Sequence, residues 1–289
     1  LEVGVDYIAL SFVREAKDIL QLRAVIADAL QRPQIVAKIE DQEAVRNLDS
    51  IVAEADAIMI ARGDLGIECP YEELPIIQRR IAKACMQVGK PFIIATHMLE
   101  SMIENPHPTR AEVTDVANAV FEQADAIMLS GETTVGKQPL KCIEVMDRIA
   151  CRIERSGGGN FQDRAQLTTA RQKLVKSAVI MANELKAEAI VVFTFGGHMA
   201  RAAAWMRPHH SPIFVVCDND EIARSLMLHW GLSPKIVPFD RIQPENTTDG
   251  ALKVLQAEGI LKTGDTAVVI GAVSTGTQII DAVQMRKID

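Results

Sequence analysis

Lys38 and Glu40 stand two residues apart in the run Ile35-Val36-Ala37-Lys38-Ile39-Glu40, so on a strand both side chains leave the same face. A strand covered on both faces is uniformly apolar, and two charges in such a run need a bound ion, a substrate or each other. The next apolar run ends in Ala61-Arg62-Gly63-Asp64-Leu65-Gly66 and brings a second carboxylate about one strand spacing away. Glu40 and Asp64 can then share one cation. Two carboxylates with room for substrate oxygens and water suit Mg2+ (or Mn2+) held jointly by protein and phosphate, with Lys38 adding positive charge at the same centre. The plainer reading of Lys38 and Glu40 is a satisfied buried ion pair, which the presence of Asp64 weighs against. Gly63-Asp64-Leu65-Gly66 reads either as a turn or as backbone N–H groups freed to hold a carboxylate or phosphate.

Two further apolar runs end in hydroxyls, Thr96 in Ala95-Thr96-His97-Met98 and Ser130 in Leu129-Ser130-Gly131-Glu132. Each alone suits a helix cap or strand-end hydrogen bond, and position at a shared rim argues for chemistry. His97 directly follows the inward Thr96, so alternation points it away from the rim. Further along, Thr194-Phe195-Gly196-Gly197-His198 and Ser274-Thr275-Gly276-Thr277 are small polar loops after strand patterns. Thr194, Gly196, Gly197, His198, Ser274, Thr275 and Gly276 are candidates to receive an effector's phosphate at backbone amides, with a plain tight turn as the alternative at the first loop. Arg201 and Arg207 read as solvated or subunit-facing residues.

The elements that must position these residues are legible as short β-branched runs alternating with amphipathic segments, the signature of βα units on a parallel sheet. Strands are predicted at Tyr7–Phe12, Ile35–Glu40, Ala57–Arg62, Phe92–Thr96 and Ala126–Ser130, with helices over Glu15–Leu30, Gln42–Ala55, Glu72–Val88, Arg110–Glu122 and Pro139–Arg155. Ala55-Asp56-Ala57-Ile58-Met59-Ile60 and Ala124-Asp125-Ala126-Ile127-Met128-Leu129 are near copies, as in a repetitive α/β barrel. Closing a (β/α)8 barrel takes eight strands and about 250 residues, so five units form part of one, and the other three are expected to precede Leu1. Ser156-Gly157-Gly158-Gly159-Asn160 reads as a linker. Beyond it come a helix over Ala165–Leu185 and strands at Ala189–Thr194, Ile213–Cys217, Lys235–Pro238, Ala267–Gly271 and Gln284–Ile288. The predicted fold is therefore α/β: the last five βα units of a TIM (β/α)8 barrel over residues 1–157, then a smaller three-layer α/β/α domain over 165–289.

The bulk properties agree with a folded enzyme. Across 289 residues the apolar fraction is 48% and the charged fraction 24%, which excludes a disordered chain. A net charge of −7 disfavours nucleic acid as a partner, and the apolar runs are too short to span a membrane. Five cysteines without C-x-x-C spacing read as thiols of a reducing cytoplasm.

IVAKIEDQEAV, IARGDLGIE, ATHMLESMIENPHPTRAEVTDVANAV and IMLSGETTVGKQP, in this order, resemble the successive active-site segments of the pyruvate kinase family. The likeness is strong from about Gly4 to Arg155 and looser beyond, where order and length resemble that family's C-terminal regulatory domain. It implies transfer of a phosphoryl group from phosphoenolpyruvate to ADP, giving pyruvate and ATP in glycolysis. By resemblance Lys38 stabilises the enolate, Glu40 and Asp64 hold Mg2+ or Mn2+, and the Gly63 and Asp64 amides and Thr96 bind substrate. Ser130 falls near the path of proton delivery. The resemblance further implies K+, a sugar-phosphate or nucleotide effector, a homotetramer and a cytoplasmic location. His97 stands where the family more often has glutamine. The family's phosphate-clamping arginine, monovalent-cation ligands and lid domain have no counterpart among these residues, so the chain by itself is expected to be inactive. Two other readings are a Mg2+-dependent pyruvate-enolate lyase or aldolase, and a non-catalytic module that binds sugar phosphates.

Overall fold

A computed structural model describes residues 4–29, 32–240, 242–275 and 278–289 of the chain. Of the predicted elements and sites, Leu1, Leu30 and Gly276 lie outside the described residues. The chain divides into two compact units, Leu1–Ala165 and Gln166–Asp289.

The first unit is built on a five-stranded sheet whose spatial order follows the chain: β1 (Tyr7–Leu10), β2 (Gln34–Ile39), β3 (Ala57–Ala61), β4 (Phe92–Ala95) and β5 (Ala126–Ile127). All its pairings are parallel, so each strand is laid down beside its predecessor as in one arc of a barrel. Around it run α1 (Ala16–Val25), α2 (Gln42–Arg46), α3 (Leu48–Glu54), α4 (Arg62–Glu68), α5 (Leu74–Val88), α6 (Arg110–Phe121), α7 (Gly131–Thr134) and α8 (Pro139–Glu154). The predicted helix over Gln42–Ala55 is two helices broken at Asn47, and α1 stops at Val25. Ile35, Ala37, Ile39, Ile58, Ile60 and Ile94 are fully buried on one face and Val36, Ala57, Met59, Ala61 and Ala95 are buried on the other, the two-sided burial that a parallel sheet requires.

Each predicted strand of this unit runs too far at its carboxyl end. Phe12, Glu40, Arg62, Thr96 and Ser130 all lie just past the ladder, because the backbone turns there. Phe12 and Thr96 adopt left-handed φ values of 53° and 68°, and Arg62 opens α4. The near-copied segments share one device at the opposite end. Asp56 and Asp125 each accept the N–H of a residue near the start of the preceding strand, Ile35 at 2.8 Å and Phe92 at 3.0 Å, and donate their own N–H to that residue's carbonyl at 2.9 Å. Repeated sequence here is repeated strand registration.

The segment expected to link the units, Ser156–Asn160, is instead held on the first. Gly159 donates to the Phe121 carbonyl at 2.7 Å, and Phe161 donates to the Gln123 side chain at 2.9 Å.

The second unit holds α9 (Ala170–Leu185), β6 (Ala189–Phe193), α10 (His198–Trp205), β7 (Ile213–Cys217), α11 (Asp220–Leu226), β8 (Leu232–Ile236), α12 (Pro244–Ala257), β9 (Thr266–Ser274) and β10 (Ile279–Lys287). The sheet order is β10-β9-β6-β7-β8, with β10 antiparallel to β9 and the rest parallel. Val191, Val216 and Val269 pack under Ala251, Leu252 and Leu255 of α12. The alternate residues, Ile190, Val215 and Ile270, are buried on the other face, where α9 and α10 pack on β9 and β6. α9 begins five residues later than predicted because Thr169 caps it: its hydroxyl accepts the Gln172 N–H at 3.2 Å and its own N–H reaches the Gln172 side chain at 3.0 Å. β8 starts before the predicted Lys235, and β10 starts at Ile279, five residues before the predicted Gln284.

Four cysteines are buried and Cys151 is exposed; all five are free thiols. Among the described residues no helix is long and apolar enough to cross a membrane.

Candidate functional site

The carboxyl end of β2 brings Lys38 and Glu40 together. Lys38 Nζ lies 2.5 Å from Glu40 Oε1 and donates to Ser11 Oγ at 3.0 Å, while the Phe12 N–H donates to Glu40 Oε2 at 2.6 Å. Phe12 is left-handed, with φ of 53°, where the chain leaves β1 beside that carboxylate. Glu40 is 1% exposed, and its Oε1 has a charge partner in Lys38 but no donor aligned for a hydrogen bond. A buried anionic oxygen left so is short of about 1–3 kcal/mol of compensation, and a hard divalent cation is the partner that would supply it.

Asp64 is not a strand-end residue. Register pairs Ile39 with Ile60, so Glu40 is abreast of Ala61, and Asp64 follows three residues later in the first turn of α4. An acidic residue is favourable there because it faces the positive end of the helix dipole. Among the described residues no three His, Cys, Asp or Glu side chains form a metal cluster, so a cation at Glu40 and Asp64 must complete its shell with substrate and water. The donor set is all oxygen and suits Mg2+ or Mn2+.

Thr96 is tied to the same α4 turn. Its hydroxyl accepts the Gly63 N–H at 2.7 Å and donates to the Ala95 carbonyl at 2.6 Å. The Gly63 amide, a candidate substrate donor, thus already has an acceptor. Thr96 and His97 are consecutive left-handed residues, with φ of 68° and 55°, a conformation that costs a side-chain-bearing residue about 1 kcal/mol or more. Arg62 holds the turn in place. Its guanidinium donates to the Ala95 carbonyl at 3.2 Å, the Thr96 carbonyl at 2.6 Å and the Met98 sulfur at 2.8 Å, and pairs with Asp115 at 2.6 Å.

Ser130 stands at the start of the short α7 without a side-chain capping bond. Its N–H donates to Glu132 Oε2 at 2.8 Å, and Glu132 Oε1 accepts the Leu99 N–H at 3.0 Å. Glu132 is 2% exposed and couples the rims of β4 and β5. His97 is 58% exposed with Glu100 at 3.8 Å, but it does not turn away as alternation predicted: a Cβ at Gly63 would meet His97 Cε1 at 3.4 Å and Thr96 Oγ1 at 3.5 Å, because two consecutive left-handed residues end the alternation. Nearby, Ser101 and Thr109 clamp Glu112. Burial alone would raise the Glu112 carboxyl, but hydrogen bonds from both residues' N–H and hydroxyl groups, 2.6–2.9 Å long, hold it below its ordinary range. Sequence reading missed Arg62 and Glu132. Their signal was a charge directly after a fully apolar strand and an acid two residues past Ser130.

Among the candidate effector amides of the second unit, those of Thr194, Gly197, Ser274 and Thr275 have acceptors of their own. Gly197 donates to the buried Thr194 hydroxyl at 3.0 Å, Ser274 to Glu245 at 2.8 Å and Thr275 to the Gln278 carbonyl at 2.9 Å. Arg201 binds the Gly196 carbonyl at 3.1 Å, and His198 is exposed at the start of α10. Arg207, read from the sequence as solvated or subunit-facing, is 4% exposed and lies 5.3 Å from the Trp230 ring centroid.

Comparison with known proteins agrees with this geometry. Residues 1–143 match the family model for the pyruvate kinase barrel domain, and residues 172–283 match that for the pyruvate kinase alpha/beta domain. The chain is 42% identical to pyruvate kinase of Geobacillus stearothermophilus over 283 residues, covering 94% of this chain and 47% of that protein. It is 38% identical to pyruvate kinase 2 of Synechocystis over 276 residues, covering 96% and 46%. The crystal structure of a pyruvate kinase from Cryptosporidium parvum superimposes with a TM-score of 0.91 at 33% identity, over 99% of this chain and 59% of that one. The chain thus spans about half the length of the curated relatives it matches. With both units matched and the rim residues held as described, the chain belongs to the pyruvate kinase family.

Proposed function

We propose that this chain supplies the enolate-stabilising and metal-binding side of an active site that transfers a phosphoryl group from phosphoenolpyruvate to ADP, yielding pyruvate and ATP. The observation that carries this reading is the buried Glu40 carboxylate with Lys38 at 2.5 Å and Oε1 short of a donor. Glu40 and Asp64 would hold Mg2+ or Mn2+, which when bound supplies Lewis-acid stabilisation of charge on substrate oxygens. Loss of the phosphoryl group leaves negative charge on the enolate oxygen, and the Lys38 ammonium, fixed by Ser11 and Glu40, is preorganised to meet it. Thr96 lies at the rim with its hydroxyl fixed between Gly63 and Ala95, where it lines the place of protonation of the enolate carbon. Ser130 is assigned to the water path that brings that proton. K+ enters through the family likeness, with no residue of this chain assigned to it. The reading extends to a cytoplasmic homotetramer.

Titration of the 289-residue chain with Mn2+, followed by electron paramagnetic resonance, tests the site without turnover. One tight ion per chain, weakened at least tenfold by Glu40→Gln and by Asp64→Asn, is expected. Affinity equal to the parent's in either variant overturns the assignment. In the longer protein carrying this chain, pyruvate formation that depends on ADP separates phosphoryl transfer from retro-aldol cleavage.

A further inference from the structure

Two left-handed residues in a row decide which groups meet at the exit of β4. In an extended strand Thr96 and His97 would take opposite faces. Here both come to Gly63: a Cβ built there would lie 3.4 Å from His97 Cε1 and 3.5 Å from Thr96 Oγ1. Cε1 is the ring carbon bonded to both imidazole nitrogens, so the edge of the ring presented to Gly63 is the one that carries its donors. Glycine, with no side chain, leaves that approach open.

The other donors at this rim are engaged. The Gly63 N–H goes to the Thr96 hydroxyl at 2.7 Å, and that hydroxyl goes to the Ala95 carbonyl at 2.6 Å. The Arg62 guanidinium is divided among Ala95, Thr96, Met98 and Asp115. Lys38 is paired with Glu40 and donates to Ser11. The His97 ring is different. Its Nε2 stands 3.8 Å from Glu100 Oε2, outside hydrogen-bond reach, and among the described residues none accepts from either nitrogen. Both side chains are more than half exposed, so water screens the pair and it holds the ring only weakly.

The plainer reading is that histidine stands at 97 because it tolerates positive φ. That accounts for the backbone and leaves the ring's placement unexplained, since asparagine or glycine tolerates the same conformation without bringing a ring to Gly63. Left-handed residues that carry side chains cluster where a ligand is held.

We infer that His97 contacts the substrate, its ring N–H donating to the carboxylate of phosphoenolpyruvate. This rests on the phosphoryl-transfer reading and adds a specificity contact to it. Lys38 and the cation at Glu40 and Asp64 are assigned to the enol oxygen, and the carboxylate is bonded to the carbon that bears this oxygen. It therefore needs a donor at the same rim, clear of two protein carboxylates, and His97 over Gly63 is that donor. A neutral imidazole carries one N–H, so the contact does not require protonation. The carboxylate keeps its charge before and after the phosphoryl group leaves. Its contact is then equal in substrate and transition state, and acts on affinity rather than on turnover.

The test uses the longer protein carrying this chain, with His97→Asn and His97→Gln. Asparagine keeps the left-handed backbone but ends short of the ring's donors, whereas glutamine reaches further out with an N–H of its own. Calorimetry with phosphoenolpyruvate and Mg2+, without ADP, measures the contact; ADP-dependent pyruvate formation measures the reading beneath it. His97→Asn should weaken phosphoenolpyruvate about tenfold, the loss of one hydrogen bond to a charged group. Its KM for phosphoenolpyruvate should rise by the same factor, with kcat and the KM for ADP within about twofold of the parent. His97→Gln should bind within about threefold of the parent, because it restores the donor. Parent affinity in His97→Asn, or equal weakening in both variants, overturns the contact, while pyruvate formed by the parent leaves phosphoryl transfer standing. Binding in the expected order without ADP-dependent pyruvate overturns the phosphoryl-transfer reading and keeps the contact. A parent that does not bind phosphoenolpyruvate overturns both.

Discussion

The Thr96 hydroxyl accepts the Gly63 N–H at 2.7 Å, joining the exit of β4 to the first turn of α4 and so to Asp64 one residue on. Loss of that hydroxyl removes two hydrogen bonds from a backbone already in a left-handed conformation. Thr96→Val should destabilise the first unit by about 1–3 kcal/mol, and Thr96→Ser should restore most of it. Urea unfolding of the two variants measures the difference, and equal midpoints for Val and Ser would remove the hydroxyl from the account.

Arg62 binds two carbonyls and a sulfur of the β4 exit while pairing with Asp115. A lysine ammonium is a compact point charge and cannot reproduce that planar fork. Arg62→Lys is expected to cost about 2 kcal/mol or more and to loosen the turn at Thr96 and His97. Amide hydrogen exchange across residues 95–99 reports this, and unchanged protection there would show that the arginine does not hold the turn.

Lys38→Met in the longer protein should lower turnover by at least about a hundredfold, the loss seen when one preorganised electrostatic donor is removed. It also leaves the buried Glu40 carboxylate without its cation, so the variant should gain stability from added Mg2+ more steeply than the parent does. Turnover within tenfold of the parent would end the electrostatic role.

Glu112 carries an acid-sensitive contribution to stability. Its folded-state carboxyl titrates below its ordinary value, so the contribution is fully present above about pH 4.3 and is lost as pH falls through the depressed folded value. Glu112→Gln should flatten the fall of stability in that acid window and lower stability at neutral pH. Thermal unfolding between pH 2.5 and 7 checks both, and parallel curves for parent and variant would contradict the assignment.

The 289-residue chain assayed alone is expected to form no pyruvate from phosphoenolpyruvate and ADP. In the described residues the sheet of the first unit has β1 and β5 as open edges, and a working barrel rim draws catalytic groups from several strands around a closed sheet. ADP-dependent pyruvate production by the isolated chain would refute this.

The sequence by itself determined the elements and the pair at the centre of the site. Period-2 alternation put Lys38 and Glu40 on one side of one strand, and the distance of 2.5 Å between them needs no partner from elsewhere. The near-copied aspartate segments likewise announced a repeat whose meaning is local registration of strands. Tertiary structure alone decided the rest. Strand ends shifted inward because Phe12 and Thr96 turn left-handed, a choice stabilised at Thr96 by Arg62, which is 34 residues away. Gly63, Gly197, Ser274 and Thr275 looked like free amides, and all four have acceptors inside the fold. Periodicity records which face a residue takes, whereas hydrogen-bond partners are set by which distant segments the sheet brings side by side.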